Sequence, residues 1–210
     1  MSKFVLPGLT LCGILFFTGC SSDTKTASTD DKAPAEAKTA AIEPVSGKTA
    51  YWEMYTKARS EFATDLMPLT LEAKEIPGIE NTDGKAAMWN ATFVSNTKKE
   101  ARVYTYAIAA HPPDIYKGVT VGKPLPWNGT SSKVMPFSMG QVQVDSDAAL
   151  KSAAAEAGDW LKKHPEKDPK IDLEEMTKYQ LPTWIVKWGN EKLGYVAIVS
   201  GVDGKSLTTK

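Results

Sequence analysis

Cysteine is nearly absent: the chain has two, Cys12 and Cys20, both within its first twenty residues. Everything beyond Cys20 is thiol-free, which excludes disulfides, cysteine nucleophiles, thiolate metal sites and redox motifs from the folded part. About 160 residues from Thr49 onward must be held by apolar burial alone, a length that suffices for one or two small cores. Histidine is as scarce. His111 precedes Pro112 and His164 precedes Pro165, so each closes an element at a proline and reads as a surface or capping residue. With no His-x-x-x-His spacing there is no zinc site. Charge of one sign is lacking too. The chain carries 25 basic and 25 acidic side chains, which gives no footing for a nucleic-acid partner or a polybasic membrane patch. A nucleophile elbow, a glycine-rich phosphate loop and an Asp-x-Asp-x-Asp-Gly calcium loop are all missing. The carboxylates of "DSD" and "DLEEM" could hold a hard cation, but helix capping and a solvated strand edge explain them more simply. The sequence therefore predicts a non-enzyme without catalytic residues, metal or cofactor. Only a close, partly buried carboxylate pair in a cleft would argue for catalysis.

One long apolar run is present. Phe4 to Phe17 follows Lys3, the only charge of the first nineteen residues, and has the length of an export signal rather than of a membrane span. It ends in Phe17-Thr18-Gly19-Cys20, which resembles the bacterial lipobox, with Phe where Leu is usual. That resemblance implies cleavage before Cys20 and lipid attachment to it. The alternatives are an ordinary signal peptide that leaves a free thiol, or an uncleaved anchor. Residues 20–48 contain almost no aromatic or large apolar side chain and cannot offset their ordering entropy, so they read as a disordered tether. Roughly 28 flexible residues reach about 30 Å. Ser21 is not the aspartate that retains many lipoproteins in the inner membrane, so the resemblance points to the periplasmic side of an outer membrane where two membranes exist.

After the tether the sequence reads as two related α+β units, 49–130 and 131–210, with a boundary near Ser131. In "TAYWEMYTKARSEFATDL", Trp52, Tyr55, Arg59, Phe62 and Leu66 recur at helical steps, and Pro68 ends the pattern. A turn-rich segment follows, then two strands, "AAMWNATFVSN" and "EARVYTYAIA". A Pro- and Gly-dense excursion with one short strand near Lys117 to Val121 leads to the second unit. There "QVQVD" alternates as a strand, and Asp145, Ser146 and Asp147 can cap an Ala-rich helix with Leu150, Ala154, Ala157 and Leu161 on one face. Strands around "LEEMTKYQL", "TWIVKWGN" and "YVAIVSG" complete the unit. Helix start to Trp-led strand covers a similar span in each unit, which fits an internal duplication. Two unrelated units of the same element order would also fit.

The second unit resembles the PepSY-like domains of bacterial envelope proteins, through Asp147 and Ala148 at the helix start, Pro182, Trp184 and Val186 in the middle strand, and Val199, Asp203, Gly204 and Lys205 at the end. The resemblance covers roughly the last 70 residues and, more faintly, the first unit. It implies helix-plus-antiparallel-sheet units that bind and restrain partner proteins, proteases among them, and it carries over no catalytic residue.

Pro182 and Gly189 bound "PTWIVKWG" too tightly for a helix. As a strand it directs Trp184, Val186 and Trp188 to one face and Ile185 and Lys187 to the other. The tryptophan row is expected to pack under the Ala-rich helix. Ile185 and Lys187 then lie on an uncovered face, together with Asn90, Thr92 and Val94 of the first unit. Either the two open faces pack on each other or they bind something. The expected function is a lipid-anchored, non-catalytic binding module of the cell envelope, held to the membrane through Cys20 and acting on a protein partner. The alternative is a small-molecule binder in which Trp127, Tyr116 and Trp52 line a cleft between the units.

Overall fold

The structure, a computed structural model, describes residues 43–129, 133–165 and 168–208. The expected export signal, Cys20, the expected tether up to residue 42 and the expected boundary at Ser131 lie outside the described residues. The fold already begins at Val45, inside the stretch read as tether. Val45 bridges Ala86, and Ser46, extended at φ −70° and ψ 161°, caps α1 (Gly47–Glu61). Its Oγ accepts from the backbone N–H of Thr49 and satisfies one of the first-turn donors. Ala50, Tyr51, Met54 and Ala58 face the core, and Trp52 is 49% exposed. The buried stripe is thus offset by one residue from the Trp52-Tyr55-Arg59 stripe that the spacing suggests. Small residues at 47, 50 and 58 let the helix approach the indoles beneath it, and that closeness fixes its rotation.

The segment after Pro68, expected to be turn, is a strand. β1 (Met67–Lys74) turns Leu71 into the core, with Thr70, Glu72 and Lys74 on the other side, and Pro68 is tolerated because a bulge interrupts the register there. β2 (Met88–Ser95) and β3 (Glu100–Ala107) pair over their full lengths. The excursion adds β4 (Gly118–Val121) and β5 (Leu125–Pro126) to the far edge of β3, and β6 (Val134–Met135) pairs with Glu175 and Met176 further along the chain. "QVQVD" is not a strand. It follows a 3-10 turn at Met139–Gln141, and the N–H groups of Gln143 and Val144 both donate to the carbonyl of Gly201. The Ala-rich helix breaks at Ala157 into α2 (Ser146–Glu156) and α3 (Gly158–Lys163). Its inward face is Ser146, Ala149, Ala153 and Ala157, while Leu150, Ala154 and Leu161 are partly buried. β7 (Pro169–Met176), β8 (Pro182–Gly189) and β9 (Gly194–Ser200) complete the chain, and "TKYQ" is the turn between β7 and β8.

These strands form one nine-stranded antiparallel sheet of order β4-β3-β2-β1-β7-β8-β9. The two halves join edge to edge at β1 and β7, where Thr70, Leu71 and Glu72 oppose Glu174, Leu173 and Asp172. Leu71 and Leu173 meet at this seam fully buried, each stabilising by roughly 1.5–3 kcal/mol. α1 and α2 pack on the same face of the sheet, over one core that contains Trp89, Phe93, Tyr104, Trp184, Val186 and Trp188. The halves are tied above the seam as well. Ser46 Oγ donates to Asp145 Oδ2 at 2.6 Å, and the N–H groups of Gly47 and Lys48 donate to Ser146 Oγ and Asp145 Oδ1. Residues of the second half therefore satisfy two of the free N–H groups at the start of α1.

Candidate functional site: the uncovered sheet face

Side chains alternate across a strand, so burying Leu71, Trp89, Leu173 and Trp184 beneath the helices turns their neighbours to the opposite face. The registers set those neighbours in rows. One row runs Ile198, Ile185, Asp172, Glu72, Asn90, Thr105, Thr120, and the next Ser200, Thr183, Glu174, Thr70, Thr92, Val103. No helix packs over these rows among the described residues. The face is polar and finely hydrogen-bonded: Thr70 Oγ1 and Thr92 Oγ1 lie 3.1 Å apart, and Thr105 Oγ1 donates to Asn90 Oδ1 at 2.8 Å. On the first half, small apolar clusters close its two ends. Trp127 packs with Val94, Ala101 and Leu69 at one, and Ile76 and Ile108 pack with Ala107 and Met88 at the other.

Charge gathers at the seam. Glu72 and Asp172 stand directly opposite one another, and Glu174 is one row away. Lys74 Nζ lies 2.6 Å from Glu72 Oε2, and Lys187 Nζ lies 2.8 Å from Asp172 Oδ2. The Glu174 carboxylate has no hydrogen bond or ion pair among the described residues. Its pKa is raised from the ordinary carboxylate value, chiefly by desolvation, which outweighs the pull of Lys187, with smaller contributions from the Asp172 and Glu72 charges. These groups line a hollow of about 530 Å³, which adjoins a second of about 710 Å³ along the loop from Glu75 to Asn81.

The residues singled out by sequence are dispersed. Lys187 is on this face and bound to Asp172. Ile185 shares the face but is 6% exposed, inserted between Asp172 and Ile198. Trp127 is a packing residue, its Nε1 donating to Asn96 Oδ1 at 2.9 Å. Trp52 projects from α1 on the helix side, and Tyr116 lies in the loop before β4, 63% exposed. No described hollow is lined by two of these three aromatic residues. The junction between the halves does hold an apolar pocket, of about 270 Å³, with Leu150, Leu161, Ile171 and Trp188 beneath the loop Asn81 to Lys85. The seam carboxylates were missed as a group, although Thr70-Leu71-Glu72 and Asp172-Leu173-Glu174 alternate polar and apolar residues as half-buried strands do. No three His, Asp, Glu or Cys side chains converge to hold a metal ion among the described residues. No helix of the described residues is long and apolar enough to cross a membrane.

No protein-family profile matches this chain, and no curated protein does. Among solved structures, the chain is similar to a protein of Clostridium difficile 630 whose crystal structure is described as that of a "putative lipoprotein". The match has a TM-score of 0.49 and 10% identity, and covers 77% of this chain and 91% of that one.

Proposed function

We propose that this protein is a lipid-anchored module of the bacterial cell envelope that binds a protein partner through the uncovered face of its sheet and catalyses nothing. The carrying observation is the placement of both helices on one side of a single continuous sheet. The open faces of the two halves do not pack on each other; they lie side by side, and their exposed polar part centres on the seam, since Thr183, Ile185 and Ser200 are buried. The Phe17-Thr18-Gly19-Cys20 motif and the apolar-poor stretch behind it support lipidation of Cys20 and a tether that raises the local concentration of the module near envelope targets. The shared plan of the halves supports an internal duplication of PepSY-like units, and Ser21 supports the outer membrane as destination.

The seam carboxylates do not turn the reading toward catalysis. Two of the three are paired with lysines, and among the described residues no metal-binding cluster accompanies them. The junction pocket keeps small-molecule binding as the second reading. At about 270 Å³ it falls below the ~300–1,000 Å³ of drug-sized sites and suits only a small apolar group.

Crosslinking of the tagged protein in its own cells, with the Cys20→Ala form as control, tests the proposal. One dominant envelope protein that is lost with the tether is expected. A wild-type sample without any crosslinked protein contradicts the reading.

A further inference from the structure

We infer that an extended segment of the partner enters the open fork between β1 and β7, adds to β7 as a short strand and seats one large apolar side chain in the junction pocket. The inference rests on the binding-module reading and specifies how the partner is held.

The seam is shorter than the strands that form it. β1 and β7 are in register only from Thr70 to Glu72 and from Asp172 to Glu174. Ala73 and Lys74 go on to pair with β2 alone, and Pro169, Lys170 and Ile171 with β8 alone. The two strands therefore part at both ends of the seam, and one fork is already filled. Val134 and Met135 of β6 lie along Met176 and Glu175, and the Phe137 N–H donates to the Pro68 carbonyl of β1 at 3.0 Å while the ring is buried. A segment of chain thus joins the two strands there through backbone bonds and an apolar anchor.

The other fork continues the same β1–β7 interface and has no occupant among the described residues. Backbone groups alternate in direction along a strand. Thr177 turns its N–H to the Lys133 carbonyl on the β6 side, so the same alternation turns the Ile171 N–H and the Pro169 carbonyl into the open fork. Three hollows meet there: those of about 530, 710 and 270 Å³ are all lined by Asn81 and Pro169. The first opens on the uncovered face, and the last lies beneath the helices, walled by Leu150, Leu161, Ile171 and Trp188. Residues directly opposite one another on two strands share a face. A residue opposite Ile171 therefore points into the apolar pocket, and its neighbour opposite Lys170 points to the uncovered face. A polypeptide meets both demands, whereas a free apolar molecule fills the pocket and leaves the backbone groups unpaired. The pocket takes one leucine-sized side chain, the kind of buried anchor on which such contacts turn. The open stretch of β7, Pro169 to Ile171, offers ~10 Å of strand, which suits a short recognition segment.

The test uses the full chain with Cys20→Ala and the uncharged heptapeptide Thr-Ser-Thr-Leu-Thr-Ser-Thr, with the same peptide bearing Ser in place of Leu and 3-methylbutanol as comparators, read by calorimetry and by hydrogen exchange at single amides. The leucine peptide is expected to bind and to slow exchange of the Ile171 amide, and the serine peptide to bind about tenfold or more weakly. 3-Methylbutanol is expected to leave the Ile171 amide as it is. Ala154→Phe, which fills the pocket from α2, is expected to lose about tenfold or more in affinity for the leucine peptide. Ala155→Phe, the same change at the exposed neighbour, is expected to bind as wild type. Should Ala154→Phe not fold, Ala154→Leu carries the same prediction. No binding of the leucine peptide at millimolar concentration, equal binding of the serine peptide, or binding that leaves Ile171 exchange unchanged overturns the inference. So does an Ile171 amide that exchanges as slowly without peptide as that of Leu173 inside the seam, which would show the fork to be filled by this chain. Partner crosslinks on the uncovered face that persist in Ala154→Phe would leave the module reading standing and remove only the inserted strand. Pocket-dependent peptide binding with no cellular partner would do the reverse.

Discussion

Trp89 and Trp184 occupy matching places in the two halves of the sheet. The indole N–H of Trp89 donates to the carbonyl of Val45 at 3.0 Å, and that of Trp184 to the carbonyl of Val144 at 2.9 Å. Val45 and Val144 each immediately precede the residue that caps a helix, Ser46 and Asp145. Each tryptophan fills the core from a central strand and also fixes where the helix above it begins. Both rings reach toward Gly47. A Cβ there would lie 2.7 Å from Trp184 Cη2 and 3.3 Å from Trp89 Cη2.

Replacing Trp184 by phenylalanine should therefore leave the partly buried Val144 carbonyl unsatisfied, whereas the Val45 carbonyl keeps the N–H of Ala86 when Trp89 is replaced. A loss of about 1–3 kcal/mol is expected from Trp184→Phe and a smaller one from Trp89→Phe, by urea unfolding. Trp184→Ala should cost ~3–5 kcal/mol. A near-neutral Trp184→Ala would move this residue out of the core.

Gly47→Ala should destabilise by about 1–3 kcal/mol through overpacking, because the indole it meets is held by its own hydrogen bond and cannot swing away. The loss should shrink when Gly47→Ala is combined with Trp184→Phe. A double-mutant cycle reads the coupling, and strictly additive losses would show that the contact is relieved elsewhere.

The tryptophans show what the sequence discloses. The alternation of Pro182 to Gly189 was sufficient to place Trp184, Val186 and Trp188 in the core and Lys187 outside it. The α+β class was legible from the helical spacing and the Trp-led strands. The joining of the halves was not. β1 begins at a Met-Pro pair that reads as the end of a helix, and its pairing with β7 is a contact about a hundred residues distant, which no local pattern encodes. Without β1 the seam is invisible, and the carboxylates of "DLEEM" look like a solvated edge rather than the centre of a face. Trp127 and Trp52 looked equivalent as aromatic residues in polar surroundings. What separates them is a cluster formed by Val94 and Ala101 from strands that Trp127 reaches only through the fold.

Acid should weaken the fold in a defined window. Hydrogen bonds from Ser95 Oγ and the Thr97 N–H lower the Asp65 pKa from 3.8 to about 2, and Lys205 and Ser200 do the same for Asp203. A depressed carboxylate pKa contributes stability that is fully present above its unfolded value and lost as pH falls through the folded one. Stability should decline between pH 4 and pH 2, and Asp65→Asn should flatten that decline. Parallel pH profiles for variant and wild type would show that the Asp65 bonds do not form.

Glu174 should behave with the opposite sign. Its raised pKa means that ionising it opposes folding, so stability falls as pH rises from the unfolded value through the folded one. Glu174→Gln should raise the urea midpoint slightly at neutral pH, and the gain should vanish in acid, where both side chains are neutral. A neutral-pH loss would show that the carboxylate has a partner that holds it in place.

Cys20→Ala should release the protein from membranes or leave it as an unprocessed precursor, read by fractionation and by its mobility on gels. Membrane attachment that resists salt and is unchanged in the variant would contradict lipidation at Cys20.

The most direct test of the account places a photo-crosslinking residue at Lys170 or Lys187 on the uncovered face and, for comparison, at Lys151 on the outside of α2, in the full-length protein within its own cells. The account predicts one discrete crosslinked protein from both sheet positions and none from Lys151. Crosslinks from Lys151 alone, or from neither sheet position, would contradict the assignment of this face as the binding surface.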